Sequence, residues 1–294
     1  MRILVSGGTG FIGQALCPQL THDGHDVIVW SRQAHPDVAE GVTAIQRLDE
    51  LSGPGPDAVI NLAGASIADG RWTTERKRLL VDSRVGTTGK LVEWMRAMET
   101  PPKALISASA VGYYGEQGNR VITEDTPPTP GFTHDLCVQW EKEALKAESL
   151  GVRVCLVRTG VVLDRDGGAL AKMLLPFKMG AGGRLGSGEH YFPWIHRADI
   201  VAIYQWLVEN ERASGAYNAS APEPVTNAEF TRTLGRALKR PTLLPMPEPV
   251  LRLLFGEMSE LLLVSNRMMP KRLLDEGFEF RYPELKQALH AILR

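Results

Sequence analysis

Seven residues near the amino terminus, Gly7-Gly8-Thr9-Gly10-Phe11-Ile12-Gly13, constrain this chain more than any other stretch. They follow a short apolar run, Arg2–Ser6, and open a stretch of helical apolar spacing over Phe11–His22. Gly7, Gly10 and Gly13 stand three apart between strand and helix, and each is expected to do a different thing. The first permits a tight turn, the second lets backbone approach a diphosphate, and the third lets the helix pack closely on the sheet. Free N–H groups in the first helical turn then face the anion. A glycine pattern alone is weak; the strand before it and the helix after it give it meaning.

Apolar runs and helical stretches alternate after that loop. His25–Trp30, Ala58–Leu62, Ala104–Ser107 and Arg153–Val157 read as strands, and Thr74–Met98 and Leu136–Leu150 as helices. Strands alternating with helices imply parallel βαβ units, an α/β fold with a Rossmann-type doubly wound parallel sheet. Later the texture changes. Residues 173–188 are rich in Gly and Met, and prolines stand at 241, 245, 247 and 249. Asp199–Glu209 reads as a further helix, and Thr226-Asn227-Ala228-Glu229 has capping-box spacing before a helix of about 12 residues. The expected division is a nucleotide domain over 1–165, with 190–220 returning to it. A smaller C-terminal substrate lobe takes 166–189 and 221–294, and the ligand lies between the two.

The end of the second strand selects the coenzyme. NAD-specific folds place Asp or Glu about 20 residues after the glycine loop, to hold the ribose 2′-hydroxyl. Here the strand ends Val29-Trp30-Ser31-Arg32, with no acid at that point. A hydroxyl followed by a guanidinium suits a 2′-phosphate, which Arg binds through charge-assisted, bidentate contacts. Ser31 and Arg32 therefore point to NADP.

Composition removes other classes. With 33 basic and 34 acidic side chains the formal net charge is −1, and no basic stripe suggests nucleic acid or an anionic membrane. No stretch approaches the ~18 apolar residues of a membrane span, and the start lacks a signal peptide's apolar segment. Cys17, Cys137 and Cys155 lack Cys-x-x-Cys spacing and read as reduced thiols, so a cytoplasmic location is expected. The histidines contain no His-x-x-x-His pair, so no metal site is expected.

Several blocks together resemble the extended short-chain dehydrogenase/reductase superfamily. They are the glycine loop, Asn61-Leu62-Ala63-Gly64, Gly86-Thr87, Ser107-Ala108-Ser109, Leu156-Val157-Arg158, and Phe192-Pro193-Trp194-Ile195-His196 followed by Asp199. Trp140-Glu141, Arg158-Thr159-Gly160-Val161-Val162-Leu163, Leu175-Pro176-Phe177, Gly186-Ser187-Gly188, Thr226–Phe230 and Gly277-Phe278 look like its atypical epimerase-family subgroup, whose members resemble nucleoside-diphosphate-sugar epimerases. The resemblance spans essentially the whole chain. It implies that Gly7, Thr9, Gly10, Phe11, Ile12 and Gly13 hold the pyrophosphate, and Ser31 and Arg32 the adenosine phosphate end. It also implies that Leu62 and Ala63 line the adenine-ribose side, that Arg84 stands where extended members keep an Asn, and that Val161 lies near the nicotinamide.

The superfamily's acid–base pair is missing from its helix. A Tyr-x-x-x-Lys pair on one helical face lets the ammonium lower the phenol's pKa for proton transfer. Counting back from Arg158 puts Thr133 at the Tyr position and Cys137 at the Lys position; such a Cys is common in the atypical subgroup. Ser109 holds the place of the substrate-binding Ser. Tyr113, Tyr114 and His196 are the candidate substitute acids, and each is equally readable as a packing residue. Cys137 is readable either as a small buried hydrophobe or as a thiol activated by His134. Arg184, in a glycine-dense stretch, is a candidate phosphate contact for a nucleotide-linked substrate. Two function classes remain open. One is an NADP-dependent oxidoreductase or epimerase acting on a carbonyl or sugar-nucleotide-like small molecule; the other is an NADPH-binding sensor or interaction protein without turnover. The oligomeric state is not legible.

Overall fold

Arg2–Ser6 (β1), Asp26–Trp30 (β2), Ala58–Asn61 (β4), Ala104–Ala110 (β5) and Arg153–Thr159 (β6) are buried almost throughout, as strands covered by helices on both faces must be. Thr43–Ile45 (β3) and Gly215–Ala219 (β7) complete a seven-stranded sheet in the order β7-β6-β5-β4-β1-β2-β3, with every pair parallel. The computed structural model describes all 294 residues. The chain builds outward from β1 to β3, then returns to place β4 on the other side of β1. The crevice at that reversal is where such sheets bind ligands.

Alternate residues of each strand feed opposite cores. Ile3, Val5, Val29, Ile106 and Val157 pack against Gly13–His22 (α1) and Arg197–Glu209 (α6). Leu4, Val59, Leu105 and Val154 face the other way, towards Thr87–Arg96 (α3) and Phe132–Leu145 (α4). A third core gathers Leu170 and Phe177 of Gly168–Lys178 (α5), Phe230 and Leu234 of Asn227–Leu238 (α7), and Leu285, Leu289 and Ile292 near the C-terminus. The cores do not follow a clean cut of the chain. Leu163 and Trp194 belong to this third core, whereas Leu273 and Phe278 return to the first.

The expected helices exist with different ends. The first begins at Gly13, because Phe11 and Ile12 are spent in the turn. The long stretch from Thr74 is two helices, Thr74–Val81 (α2) and α3, separated by a π turn at Asp82–Gly86. The helix after β5 starts earlier, at Phe132, and ends in a 3₁₀ turn at Lys146–Leu150. The helix after Thr226 has 12 residues, and the Thr226 hydroxyl accepts from the Glu229 N–H at 3.2 Å. No helix is long and apolar enough to cross a membrane.

Candidate functional site

The glycine loop leaves β1 with Gly7 at φ +73°. A Cβ on Gly7 would stand 2.7 Å from the Leu62 carbonyl carbon, so the loop after β4 presses directly on it. Gly13 meets the turn itself rather than the sheet: a Cβ there would lie 2.5 Å from the Gly7 oxygen and from Gly8 Cα. Gly8, which sequence reasoning passed over, has no room for a side chain either, with Val29 Cγ2 2.5 Å from its would-be Cβ. The first turn of α1 has neither a side-chain cap nor an acidic residue. The N–H groups of Phe11, Ile12 and Gly13 donate to nothing in the chain. This bare, positively polarised concavity fits a diphosphate. The Phe11 ring is seated against Gly167 and Gly168 and beneath the Arg197 guanidinium, 4.7 Å from the ring centroid. Nothing in the sequence signalled that lock between loop and second half.

At the end of β2, Ser31 is buried and its Oγ accepts from the Gln33 N–H at 3.2 Å. Arg32 beside it is exposed, and no carboxylate claims its guanidinium. Leu62 and Ala63 continue from β4 alongside the loop, with the Leu62 N–H donating to the Ser6 oxygen at 2.9 Å. Beneath them Asn61 is fully buried. It accepts from Ser6 Oγ at 2.6 Å and donates to Thr88 Oγ1 at 2.8 Å, which ties β1 and β4 to α3.

Around β5 the structure joins residues far apart in sequence. Ser109 Oγ donates to Glu141 Oε1 at 2.6 Å, and Glu141 forms a buried bidentate pair with Arg158, both bonds 2.9 Å. Burial pulls the Arg158 pKa down, but the bonds to Glu141 outweigh it and the net shift is upward. Arg158 Cζ also lies 3.4 Å from the Tyr113 ring centroid. Tyr113 is half-buried, and its hydroxyl is left free. Its neighbour behaves differently. Tyr114 is fully buried, donates to Asn218 Oδ1 at 2.6 Å, and burial pushes its pKa up to about 12. Tyr114 is therefore enclosed and its hydroxyl engaged, in contrast to that of Tyr113.

His196 is likewise enclosed. It stacks on Tyr282 with centroids 3.9 Å apart, and its Nδ1 accepts the Ala198 N–H at 2.9 Å as the N-cap of α6. Burial lowers its pKa to about 4, so the ring is a neutral cap and not a cationic acid. Val161 lies on a short strand, Val161–Asp164, that runs parallel to Trp194–His196. Thr133 sits against Gly112, and Cys137 donates weakly to the Ala110 oxygen at 3.8 Å. Burial pushes the Cys137 thiol up to about 12, and His134 bonds the Tyr113 oxygen at 2.6 Å, so the activated-thiol reading is not supported. One Tyr-x-x-x-Lys spacing does occur elsewhere, at Tyr282 and Lys286. Tyr282 precedes the last helix while Lys286 is exposed on it, so the two do not share a helical face. Arg184 is exposed and folds over Gly188.

Arg84 occupies the π turn between α2 and α3. Its Nη1 and Nη2 donate to the Leu80 and Ala65 oxygens at 3.2 and 3.0 Å, and its Cζ lies 5.3 Å from the Trp140 ring centroid. Burial lowers its pKa.

A model of the NAD dependent epimerase/dehydratase family matches residues 3–220, which hold the glycine loop, Arg32, Arg84, Ser109 and Arg158. The chain belongs to this family. A second model, a domain of unknown function (DUF1731), matches residues 246–292. Epimerase family protein SDR39U1 of Mus musculus is 40% identical over 298 residues, covering 100% of both chains. Epimerase family protein YfhF of Bacillus subtilis is 39% identical over 299 residues, covering 100% of this chain and 98% of the relative. The crystal structure of human SDR39U1 (isoform 2) with NADPH superposes with a TM-score of 0.93 at 38% identity, covering 100% of this chain and 99% of that one.

Proposed function

We propose that this chain binds NADP(H) along the C-terminal edges of β1, β2 and β4 and works as an oxidoreductase or epimerase on a carbonyl or alcohol of a small, nucleotide-linked molecule. The observation that carries the coenzyme is the free, exposed Arg32 beyond buried Ser31, where an NAD-binding fold would hold a carboxylate. Gly7 to Gly13 would hold the diphosphate, and human SDR39U1, 38% identical, was crystallised with NADPH. When bound, the reduced coenzyme supplies a hydride. Tyr113 is the group on this chain able to give or take the accompanying proton, because among the three candidate hydroxyls its own is free of a partner, while His196 is buried and caps α6. Arg158 fixes its ring, and Glu141 fixes Arg158. Three buried free thiols support work in a reducing cytoplasm.

Calorimetry tests the coenzyme. The wild type is expected to bind NADPH well above NADH, and Arg32→Ala to lose about tenfold or more in NADPH affinity, as a charge-assisted phosphate contact requires. Equal affinity for the two coenzymes sinks the reading. Turnover is tested by NADPH consumption and product chirality over carbonyls and nucleotide sugars, with Tyr113→Phe as control. The second reading, tight binding without turnover, is favoured by the enclosed Ser109 hydroxyl already committed to Glu141. Binding with no reaction across the panel would select it.

A further inference from the structure

Arg84 differs from Arg158, Arg272 and Arg153 in how little of its guanidinium is answered within the chain. Arg158 answers Glu141 and Arg272 answers Glu276. Arg153, which has no carboxylate, spends its donors on the oxygens of Ala213, Leu207 and Val208. Arg84 has no carboxylate and uses two bonds, to Leu80 and Ala65, of the five N–H donors that a guanidinium carries. A charge withdrawn from water without a counter-charge is costly. Its remaining N–H donors are not sealed from solvent, so the head is open to a group outside the chain.

The position narrows what that group is. The Arg84 head lies between the loop after β4 and helix α4. A Cβ on Gly64 would stand 3.1 Å from Arg84 Cζ, and the Trp140 ring centroid lies 5.3 Å from it. A dinucleotide with its 2′-phosphate at Arg32 on β2 and its diphosphate at the β1 loop runs its nicotinamide half towards β4 and β5. Arg84 stands on that side. The backbone there opens into a π turn, a local widening often found at functional sites.

We propose that Arg84 makes this site discriminate between the redox states of the coenzyme, its unpaired charge favouring NADPH over NADP⁺. The two molecules differ at one ring, which is cationic when oxidised and neutral when reduced. A fixed cation beside that ring repels the oxidised form and leaves the reduced form untouched, and the enclosed setting strengthens the effect. The inference rests on the NADP(H) reading above and adds which form the site retains.

Calorimetry with NADPH, NADP⁺ and 2′,5′-ADP, the adenosine half alone, tests it on the wild type, Arg84→Lys and Arg84→Gln. The wild type is expected to prefer NADPH over NADP⁺ by about tenfold or more, about 1.4 kcal/mol. Arg84→Gln should bring the two within about threefold of each other, chiefly by tightening NADP⁺, while Arg84→Lys keeps most of the ratio. All three proteins should bind 2′,5′-ADP alike, which shows that the fold and the adenosine end survive. If Arg84 only braces the loop at Ala65, Arg84→Gln weakens both coenzymes by one factor and leaves their ratio unchanged, which overturns the proposal. A wild-type ratio near one overturns it without any variant. Loss of all coenzyme and 2′,5′-ADP binding in the wild type would instead bring down the NADP(H) reading, and this inference with it.

Discussion

A Cβ at Gly7 would meet backbone that cannot rotate aside, the Leu62 carbonyl, at a φ of +73° that Ala rarely adopts. The conformation alone costs about 1 kcal/mol and the collision adds to it. Gly7→Ala is therefore expected to lower Tm by several degrees and NADPH affinity by about tenfold or more. Unchanged affinity in a calorimeter would place the ligand elsewhere. His196 carries a pH prediction of definite sign. Burial holds its folded pKa near 4, below the ordinary 6.5, so the neutral ring favours the fold. Its contribution is complete above about pH 6.5 and is lost as the pH falls from there through 4. The shift corresponds to something on the order of 3 kcal/mol, less what solvent access removes. Melting curves of wild type should fall more steeply across that window than those of His196→Asn, which keeps a cap acceptor. Parallel curves for the two proteins would show that the ring does not titrate as its burial requires.

A buried ion pair ties helix α4 to the sheet. Glu141 bonds Arg158 on β6 and accepts from Ser109 on β5, with both charged side chains 7% exposed. Glu141→Ala leaves a buried guanidinium without an answer, and such losses cost about 3–5 kcal/mol. The double change Glu141→Ala with Arg158→Met should recover a good part of that, as denaturant midpoints would show; strictly additive losses would mean that the pair is not coupled. The same elements show what a sequence can disclose. β1, β2, β4, β5 and β6 were legible because each is an apolar run bounded by turn residues. β7, reading Gly-Ala-Tyr-Asn-Ala, and the three-residue β3 were not, because pairing with a neighbour makes them strands more than their own side chains do. The π turn that carries Arg84 leaves apolar spacing nearly unchanged, so it reads as uninterrupted helix. The glycine loop and Arg32 could be read because their chemistry is local. Ser109–Glu141 and Glu141–Arg158 span 32 and 17 residues, and only the fold brings those partners together. Tyr114 and His196 were nominated by residue type, and the fold buries both and engages each in a hydrogen bond.

The C-terminal segment threads through both halves of the molecule. Leu273 and Phe278 complete the core between the sheet, α1 and α6, while Leu285, Leu289 and Ile292 complete the core around α5 and α7. Between them the N–H groups of Arg281 and Tyr282 donate to buried Asp199 at 2.7 and 3.1 Å, so the segment also satisfies a carboxylate at the first turn of α6. Each of those five apolar side chains is worth about 1.5–3 kcal/mol when buried. Together they rival the 5–15 kcal/mol that holds a whole domain folded. A chain ending at Leu263 should therefore lose both cores rather than leave a folded nucleotide-binding half, showing no cooperative melt and no NADPH-dependent rise in Tm. The full chain should melt in one transition by tryptophan fluorescence and by far-UV circular dichroism, with NADPH raising both midpoints together, because a ligand that binds only the folded state stabilises every part coupled to it. Two separated transitions, only one of them moved by NADPH, would show that the lobes fold independently and that the shared C-terminal segment does not couple them.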